Sequence, residues 1–230
     1  MKTSLEELIA QSEFRHIAIE GVIGAGKTTL AKLLTERLSA KLILEKFEEN
    51  PFLPKFYEDQ DRFAFQTQIF FLLSRYKQQQ ELHQADLFHR FLVTDYIFEK
   101  DKIFAYLNLG DEELKLYENV MGAIEHNVPT PDLVVYIQSN VARLMGNIKV
   151  RGRDFERNMP EQYIRDLNEA YNYFFFRYKS APLLIVNATN IDFVHNKHEL
   201  DDLLTEIFRP NKAPVEYYNP SGLSRTGMLS

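Results

Sequence analysis

The sequence predicts a three-layer α/β fold, with one parallel sheet of five strands between two layers of helices. Five short, continuously apolar runs alternate with helix-forming segments, which is the pattern of parallel strands buried on both faces. The predicted strands are the segments 16–20, 41–45, 90–95, 132–138 and 183–188. In addition, the first run passes through a glycine-rich turn directly into an apolar helical pattern.

Composition indicates one domain followed by a tail. The chain has 230 residues, of which 45% are hydrophobic, and this is enough for a sizeable core. We expect the domain to span residues 1–208. Residues 209–230 are rich in Pro, Gly, Ser and Asn, so we predict an irregular tail there.

Charge and cysteine content narrow the kinds of partner and site that we expect. The net charge of -6 argues weakly against a general nucleic-acid binder and leaves a local basic groove open. The absence of cysteine excludes disulfides and thiolate metal sites. The N-terminal segment lacks the apolar stretch of a signal peptide, and no apolar run approaches the roughly 20 residues of a membrane span. We therefore expect a cytoplasmic protein without membrane contacts.

The turn after the first strand carries the phosphate-binding pattern G-x-x-x-x-G-K-[ST]. It comprises Gly21, Val22, Ile23, Gly24, Ala25, Gly26, Lys27 and Thr28, followed by Thr29. Glycines let several N–H groups converge on phosphate oxygens, and the helix that follows adds the positive end of its dipole. In this motif the Lys27 ammonium contacts the β- and γ-phosphates, and the Thr28 hydroxyl binds Mg²⁺. These residues are therefore predicted to bind the phosphates of a nucleoside triphosphate.

This phosphate-binding loop, the P-loop, occurs in several classes of protein, and the other motifs of the sequence distinguish between them. A GTPase needs an N-K-x-D motif, and the segment 196–199, NKHE, lacks the Asp and lies far along the chain. Motor and helicase ATPases are usually larger. A small kinase needs a carboxylate at the acceptor hydroxyl, a carboxylate for Mg²⁺, an acceptor pocket and mobile arginines.

Two acids stand at the predicted ends of strands. Glu45 ends the second strand and Asp95 ends the third, so both are expected at the carboxyl edge of the sheet, where α/β sites form. Glu45 is predicted to accept the proton of an acceptor hydroxyl, and Asp95 to bind Mg²⁺ together with Thr28. The alternatives are a solvated acid for Glu45 and a helix N-cap for Asp95.

A predicted helix over residues 62–78 places polar groups on an aromatic stripe. Phe65, Gln68, Leu72 and Arg75 recur at helical spacing. Buried Gln and Arg are costly unless they are paired, and a Gln amide offers a donor and an acceptor to a base edge. The alternative is a boundary helix with Gln68 and Arg75 at its solvent edge.

The segment IKVRGRDFE suggests a lid over residues 147–158. Arg151 and Arg153 flank a glycine after a helix, which suits a lid that closes over phosphates. The alternative is a solvated basic face.

With these motifs in order, the chain resembles the deoxyribonucleoside kinases, in particular their bacterial deoxyguanosine/deoxyadenosine kinase branch. The resemblance spans about residues 16–204 and rests on the ordered segments GVIGAGKTT, LEKFEENPFLPKFYED, FAFQTQIFFLLSRYKQ, TDYIFEKDKIFA and RGRDFE. It implies a homodimeric salvage enzyme with the P-loop kinase fold. Such an enzyme transfers the γ-phosphoryl group of ATP, with Mg²⁺, to the 5′-hydroxyl of a deoxynucleoside, here expected to be a purine.

The resemblance also implies roles for residues around the acceptor and the donor. Glu45 matches the general base, and Tyr57 and Glu156 match the pair that binds the sugar 3′-hydroxyl. Arg151 and Arg153 match lid arginines around the ATP phosphates.

The resemblance implies further roles at the base of the deoxynucleoside and at the adenine of ATP. Gln68 matches the base-reading glutamine and Arg75 an arginine that faces the base, while Phe65 is expected to help wall that pocket. The segment 187–194 falls where the family holds the adenine of ATP.

One departure from the family pattern lies after the third strand. The family usually has an Arg after the acid, whereas this chain has Asp95-Tyr96-Ile97. Lys100 is expected to supply the missing charge in the substrate site. We also expect Arg75 to lack the Asp partner that is usual in the family.

Two other hypotheses remain open at this point. A nucleoside monophosphate kinase of the thymidylate kinase type has the same fold but would need a further arginine near the acceptor phosphate. A P-loop regulator without small-molecule kinase activity is suggested only by the tail.

Overall fold

The computed structural model describes residues 4–82, 88–157, 159–210 and 213–220. Within these residues one sheet has six strands, all parallel, in the order β2-β3-β1-β4-β5-β6. The strands are β1 His16–Gly21, β2 Lys41–Ile43, β3 Leu92–Thr94, β4 Leu133–Gln138, β5 Leu183–Asn187 and β6 Val215–Tyr218.

Helices flank the sheet, as the alternating pattern predicts. They are α1 Leu5–Gln11, α2 Lys27–Leu38, α3 Leu53–Glu58, α4 Gln60–Leu82, α5 Lys100–Asn108, α6 Asp111–Ile124, α7 Val141–Arg151, α8 Glu161–Phe176 and α9 Lys197–Phe208. Short 3₁₀ turns cover Phe47–Glu49, Glu125–Asn127 and Asp154–Glu156. The three-layer α/β prediction is therefore confirmed.

The core lies on the central strands. Ile17, Ile19, Val134 and Val135 have no exposed surface, since β1 and β4 are covered on both faces. The pairs Ile17↔Leu133 and Ile19↔Val135 set the register between these two strands. A continuous apolar run therefore becomes a two-sided buried strand, and the loops after β1 and β4 leave the sheet at the same edge.

The prediction of five strands is wrong, because a sixth strand lies in the segment predicted as an irregular tail. Residues 211, 212 and 221–230 of that tail lie outside the described residues. Residues 215–218 form β6, which pairs in parallel with β5 through the register Leu183↔Val215 to Val186↔Tyr218. Only every second residue of β6 is partly buried, so the segment lacks the continuous apolar run by which the other strands were recognised. The segment forms a strand through its hydrogen bonds to β5, which its own composition does not indicate.

Two strands end earlier than predicted. Strand β2 ends at Ile43 and β3 at Thr94, so Glu45 and Asp95 lie in the loops just beyond the strands. Both acids still leave the carboxyl edge of the sheet, as expected for a site of this fold.

Candidate active site

The glycine-rich loop joins β1 to α2 in the predicted place. Gly24 and Gly26 have φ angles of 86° and 95°, in the left-handed region that favours glycine. A Cβ on Gly24 would lie 2.6 Å from the carbonyl oxygen of Leu144 in α7. In addition, the Asn147 amide donates to the Gly24 carbonyl at 2.8 Å. Helix α7 therefore packs directly on the loop and fixes its shape.

Lys27 is the first residue of α2 and lies at the centre of the site. Its Nζ donates to the carbonyl oxygens of Gly21 at 2.7 Å and Val22 at 3.2 Å. Burial and the nearby Lys100 ammonium lower the pKa of Lys27 to about 8, against the opposing effect of Glu20, Glu45 and Asp95. The side chain is thus a cation that a further anion would stabilise.

Asp95 connects the glycine-rich loop to Glu45. Its Oδ2 accepts a hydrogen bond from the Thr28 hydroxyl at 2.6 Å, and its Oδ1 accepts from the Glu45 backbone N–H at 2.8 Å. The Thr28 hydroxyl and the Asp95 carboxylate are hard oxygen donors, which suit Mg²⁺. Within the described residues no group of three or more His, Cys, Asp or Glu side chains forms a metal site. These two oxygens therefore fit an ion that takes its other ligands from phosphate and water.

Glu45 lies between two buried cations. Arg75 Nε and Lys100 Nζ each lie 2.7 Å from a Glu45 carboxylate oxygen. Burial raises the pKa of Glu45, but Arg75 and Lys100 outweigh it and hold that pKa well below its usual range. The carboxylate is therefore ionised and fixed in orientation, unlike a solvated acid at the end of a strand.

Arg75 also contacts the carboxylate of Asp101 in α5, which corrects the expectation that it lacks an Asp partner. Asp101 is fully buried and accepts a hydrogen bond from the Tyr117 hydroxyl at 3.1 Å. Its backbone carbonyl accepts from the Gln68 amide at 2.9 Å. Asp101 lies six residues after Asp95 and belongs to α5. The ion pair between Arg75 and Asp101 therefore does not depend on the residue that follows Asp95, where the family usually has an Arg.

Side chains from distant segments line one cavity beside Glu45. Of the predicted substrate residues, Tyr57, Gln68, Arg75, Lys100 and Glu156 all line it. The Tyr57 ring stacks on Phe155 with centroids 5.8 Å apart. Aromatic side chains form much of the remaining wall: Phe47, Phe56, Phe71, Phe104, Tyr163 and Tyr171. A cavity with largely aromatic walls and a few polar side chains suits a nucleoside.

Phe65 does not reach this cavity, so its predicted substrate contact is wrong. Helix α4 presents Ala64, Thr67, Gln68, Phe71 and Arg75 to the cavity, and Phe65 is not among its lining residues. Helical geometry turns Phe65 about 100° from Ala64, beyond the edge of the face that these residues define. The aromatic wall on α4 comes instead from Phe71, whose ring also lies 4.8 Å from the Arg75 guanidinium.

The predicted lid begins within the last turn of α7, which ends at Arg151, and its arginines are paired. Arg151 Nη2 lies 2.6 Å from Oε2 of the buried Glu156, and Arg153 Nη1 lies 3.4 Å from Oε1. The Arg153 guanidinium also stacks 3.8 Å from the Phe47 ring centroid. These contacts place both cations at the mouth of the cavity, in contrast to a solvated basic face. Asn158, the last predicted lid residue, lies outside the described residues.

A second cavity, the donor groove, lies on the other side of the glycine-rich loop. Its lining combines loop residues Gly24, Ala25, Gly26 and Thr29 with residues 189–195 and with Arg143 and Asn147. Arg143 donates to the Thr189 carbonyl at 2.7 Å and to the Ile191 carbonyl, and so fixes this segment. The two cavities share four lining residues: Lys27, Thr28, Arg151 and Arg153.

The sequence analysis missed Glu20, the buried acid before the glycine-rich loop. Its carboxylate accepts from the Gly21 N–H at 2.9 Å and the Ile97 N–H at 3.1 Å. It also lies 3.9 Å from Lys100 Nζ. Burial raises the pKa of Glu20 despite these partners. The position of Glu20, an acid at the end of an otherwise apolar strand, could have indicated that it belongs to the site.

Fold and site together define a P-loop phosphotransferase with separate donor and acceptor cavities. The family model for deoxynucleoside kinases matches residues 17–210, and the chain belongs to this family.

Individual relatives agree with this assignment. The chain is 33% identical over 198 residues to a deoxyguanosine kinase of Bacillus subtilis, covering 83% of this chain and 95% of that protein. It is 28% identical to a deoxyadenosine/deoxycytidine kinase of the same organism, and the match covers 83% of this chain and 90% of that protein. The solved structure of deoxyadenosine kinase from M. mycoides with bound dATP superimposes with a TM-score of 0.73 at 25% identity. This match covers 84% of this chain and 98% of that chain.

Proposed function

We propose that this protein transfers the γ-phosphoryl group of ATP to the 5′-hydroxyl of a purine deoxynucleoside, in nucleotide salvage. The observation that carries the proposal is the meeting of the two cavities at Lys27, Thr28, Arg151 and Arg153. A phosphoryl group leaving the donor groove there arrives beside Glu45. The family match favours this hypothesis over the thymidylate kinase and regulator alternatives.

Glu45 would hold and deprotonate the acceptor hydroxyl. Its low pKa keeps it ionised but makes it a weak proton acceptor, so we assign most of its effect to positioning the hydroxyl. This suits a loose phosphoryl transfer, in which the proton leaves the hydroxyl late. Arg75 and Lys100 keep the carboxylate in one orientation.

Lys27 and the lid arginines would neutralise the charge of the transferring group. Lys27 and the loop N–H groups bind the donor phosphates. Arg151 and Arg153 line both cavities, so they can contact the phosphoryl group throughout its transfer. Tyr57 and Glu156 would bind the sugar 3′-hydroxyl from the same side.

Mg²⁺ belongs to the proposal through Thr28 and Asp95. When bound with ATP, it would supply charge neutralisation between the β- and γ-phosphates. The Asp95 carboxylate would hold the Thr28 hydroxyl and the Glu45 backbone in place through the hydrogen bonds described above.

Purine preference is supported by relatives and by the polarity of the cavity. Two relatives named above are a deoxyguanosine kinase and a deoxyadenosine kinase. One N–H of the Gln68 amide is used by the Asp101 carbonyl, which leaves one donor and one acceptor for a base edge. Arg75 lines the cavity and is held by the buried Asp101, so its guanidinium would restrict which edge is accepted.

We also propose a homodimer. Large apolar side chains are exposed on helices α4, α5, α6 and α8, and subunit interfaces are enriched in aromatic side chains. They include Leu73, Tyr106, Leu116, Tyr173 and Phe176. Light scattering during size-exclusion chromatography tests the dimer.

Within the described residues no helix has the length and apolar character of a membrane span. Cytoplasmic location remains a prediction from the sequence.

Steady-state kinetics with MgATP would test the proposed specificity. The four common deoxynucleosides and their 5′-monophosphates serve as acceptors. We expect the highest kcat/KM with deoxyguanosine or deoxyadenosine, and low values with every monophosphate. A monophosphate as the best acceptor would overturn the proposal.

A further inference from the structure

The donor groove has a wall that lies outside the segment matched by the family model. The family match ends at residue 210, and β6 begins at Val215. Residues Tyr218, Asn219 and Pro220 nevertheless line the donor groove, together with Phe193, His195 and other residues of the loop after β5. The end of β6 is therefore placed against the nucleotide side of the site.

Specific contacts hold β6 in this position. Its register pairs Tyr218 with Val186, so the chain leaves β6 beside the start of the donor-groove loop. The Leu183 N–H donates to the Pro214 carbonyl at 2.9 Å. Glu216 accepts from the Ala213 N–H at 2.9 Å and forms an ion pair with Arg209 at 2.9 Å. The segment is thus anchored at both its backbone and its side chains.

The two tyrosines of β6 have opposite surroundings. Successive residues of a strand point to opposite faces. Tyr218 is half-buried and lines the donor groove, whereas Tyr217 is 63% exposed and does not line it. The strand therefore presents one aromatic ring to the groove and the next ring to solvent.

The groove end near Tyr218 is chemically suited to a base rather than to phosphate. Glu199 and Asp202 line it as well, and two carboxylates repel a polyanion. Burial and the carboxylates of Asp202, Glu206 and Glu199 raise the pKa of Tyr218, so its phenol is uncharged. The phosphates belong at the opposite end, next to Lys27 and the glycine-rich loop.

We infer that Tyr218 forms part of the binding site for the donor base, with its ring packed against the purine of ATP. This inference rests on the proposed function, because it takes the donor groove as the ATP site. It adds a residue to donor recognition that the family match does not contain. The added strand thereby links the C-terminal segment to the affinity for ATP.

The test compares Tyr218→Ala and Tyr218→Phe with the matched control Tyr217→Ala. Loss of one base–aromatic contact lowers affinity by about tenfold or more. We expect Tyr218→Ala to raise KM for ATP by about tenfold, with KM for the deoxynucleoside unchanged. Tyr218→Phe keeps the ring, and Tyr217→Ala leaves the groove intact, so both should stay within about twofold of the wild type.

Calorimetric titration with MgATP in the absence of an acceptor separates this inference from the proposed function. Weaker ATP binding in Tyr218→Ala alone supports the inference, even if no deoxynucleoside is phosphorylated. Equal ATP binding in wild type and Tyr218→Ala would overturn it, even if the kinase activity is confirmed. Equal losses in Tyr218→Ala and Tyr217→Ala would also overturn it, because they would indicate a general effect on β6. A loss in Tyr218→Phe as large as in Tyr218→Ala would contradict packing by the ring.

Discussion

The Lys100 ammonium lies 2.7 Å from Oε2 of Glu45, while the Arg75 guanidinium occupies the other oxygen of the same carboxylate. All three side chains line the acceptor cavity. A carboxylate held by two cations keeps a fixed direction and a negative charge, which are the properties that a residue aligning a hydroxyl requires.

Replacing Glu45 by Gln should lower kcat by about 10²–10⁴ with little change in KM for ATP. The amide keeps the size of the side chain but cannot accept the hydroxyl proton, and it leaves Arg75 and Lys100 without their shared anion. Steady-state kinetics measures this change. Glu49→Gln is the matched control, because Glu49 is an exposed acid in the adjacent turn and should retain normal turnover. Near-normal turnover in Glu45→Gln would remove Glu45 from the mechanism.

Replacing Lys100 by Met should lower kcat by about 10²–10³, the scale for loss of one positioned charge in an active site. Lys100→Arg should restore part of the activity because it retains the cation. Lys102→Met is the control, since Lys102 is partly exposed and pairs with Glu125 away from the cavity. If the Lys100 and Lys102 variants were equally active, Lys100 could not replace the arginine missing after Asp95.

The pKa of Lys27 predicts a pH dependence for ATP capture. Because burial and Lys100 lower this pKa to about 8, the free enzyme loses the Lys27 cation as pH rises through about 8. We expect kcat/KM for ATP to fall above that pH. Bound phosphates would stabilise the cation, so kcat at saturating ATP should fall only at higher pH. A kcat/KM profile that stays flat well above pH 8 would contradict this role for Lys27.

His16 predicts a loss of stability in acid. Burial lowers its pKa from 6.5 to about 4 in the folded protein, despite the opposing effect of Asp132. Between these values the unfolded chain binds more protons, so stability is lost as pH falls from 6.5 toward 4. Urea unfolding of wild type and His16→Gln over this range checks the effect, and the variant should show a flatter dependence. Parallel profiles would show that His16 contributes nothing.

Local motifs were predictable from the sequence, whereas partners across the fold were not. The glycine-rich loop was located correctly because its residues are adjacent and its strand–helix context is local. Asp101 was missed as the partner of Arg75 because α4 must pack on α5 before the two side chains meet. Phe65 was misplaced because spacing defines a stripe on a helix but not which edge of that stripe faces a cavity. Strand β6 depends on β5 for its order and shows only a weak alternation.

The most direct test of the central claim follows the labelled γ-phosphate of ATP. The enzyme is incubated with Mg²⁺, radiolabelled ATP and either deoxyguanosine or deoxyadenosine, and in parallel with the analogues that lack the 5′-hydroxyl. The account predicts a labelled deoxynucleoside 5′-monophosphate from at least one of the two deoxynucleosides and no labelled nucleoside product from its 5′-deoxy analogue. Label that passes only to monophosphates, or only to inorganic phosphate, would contradict it.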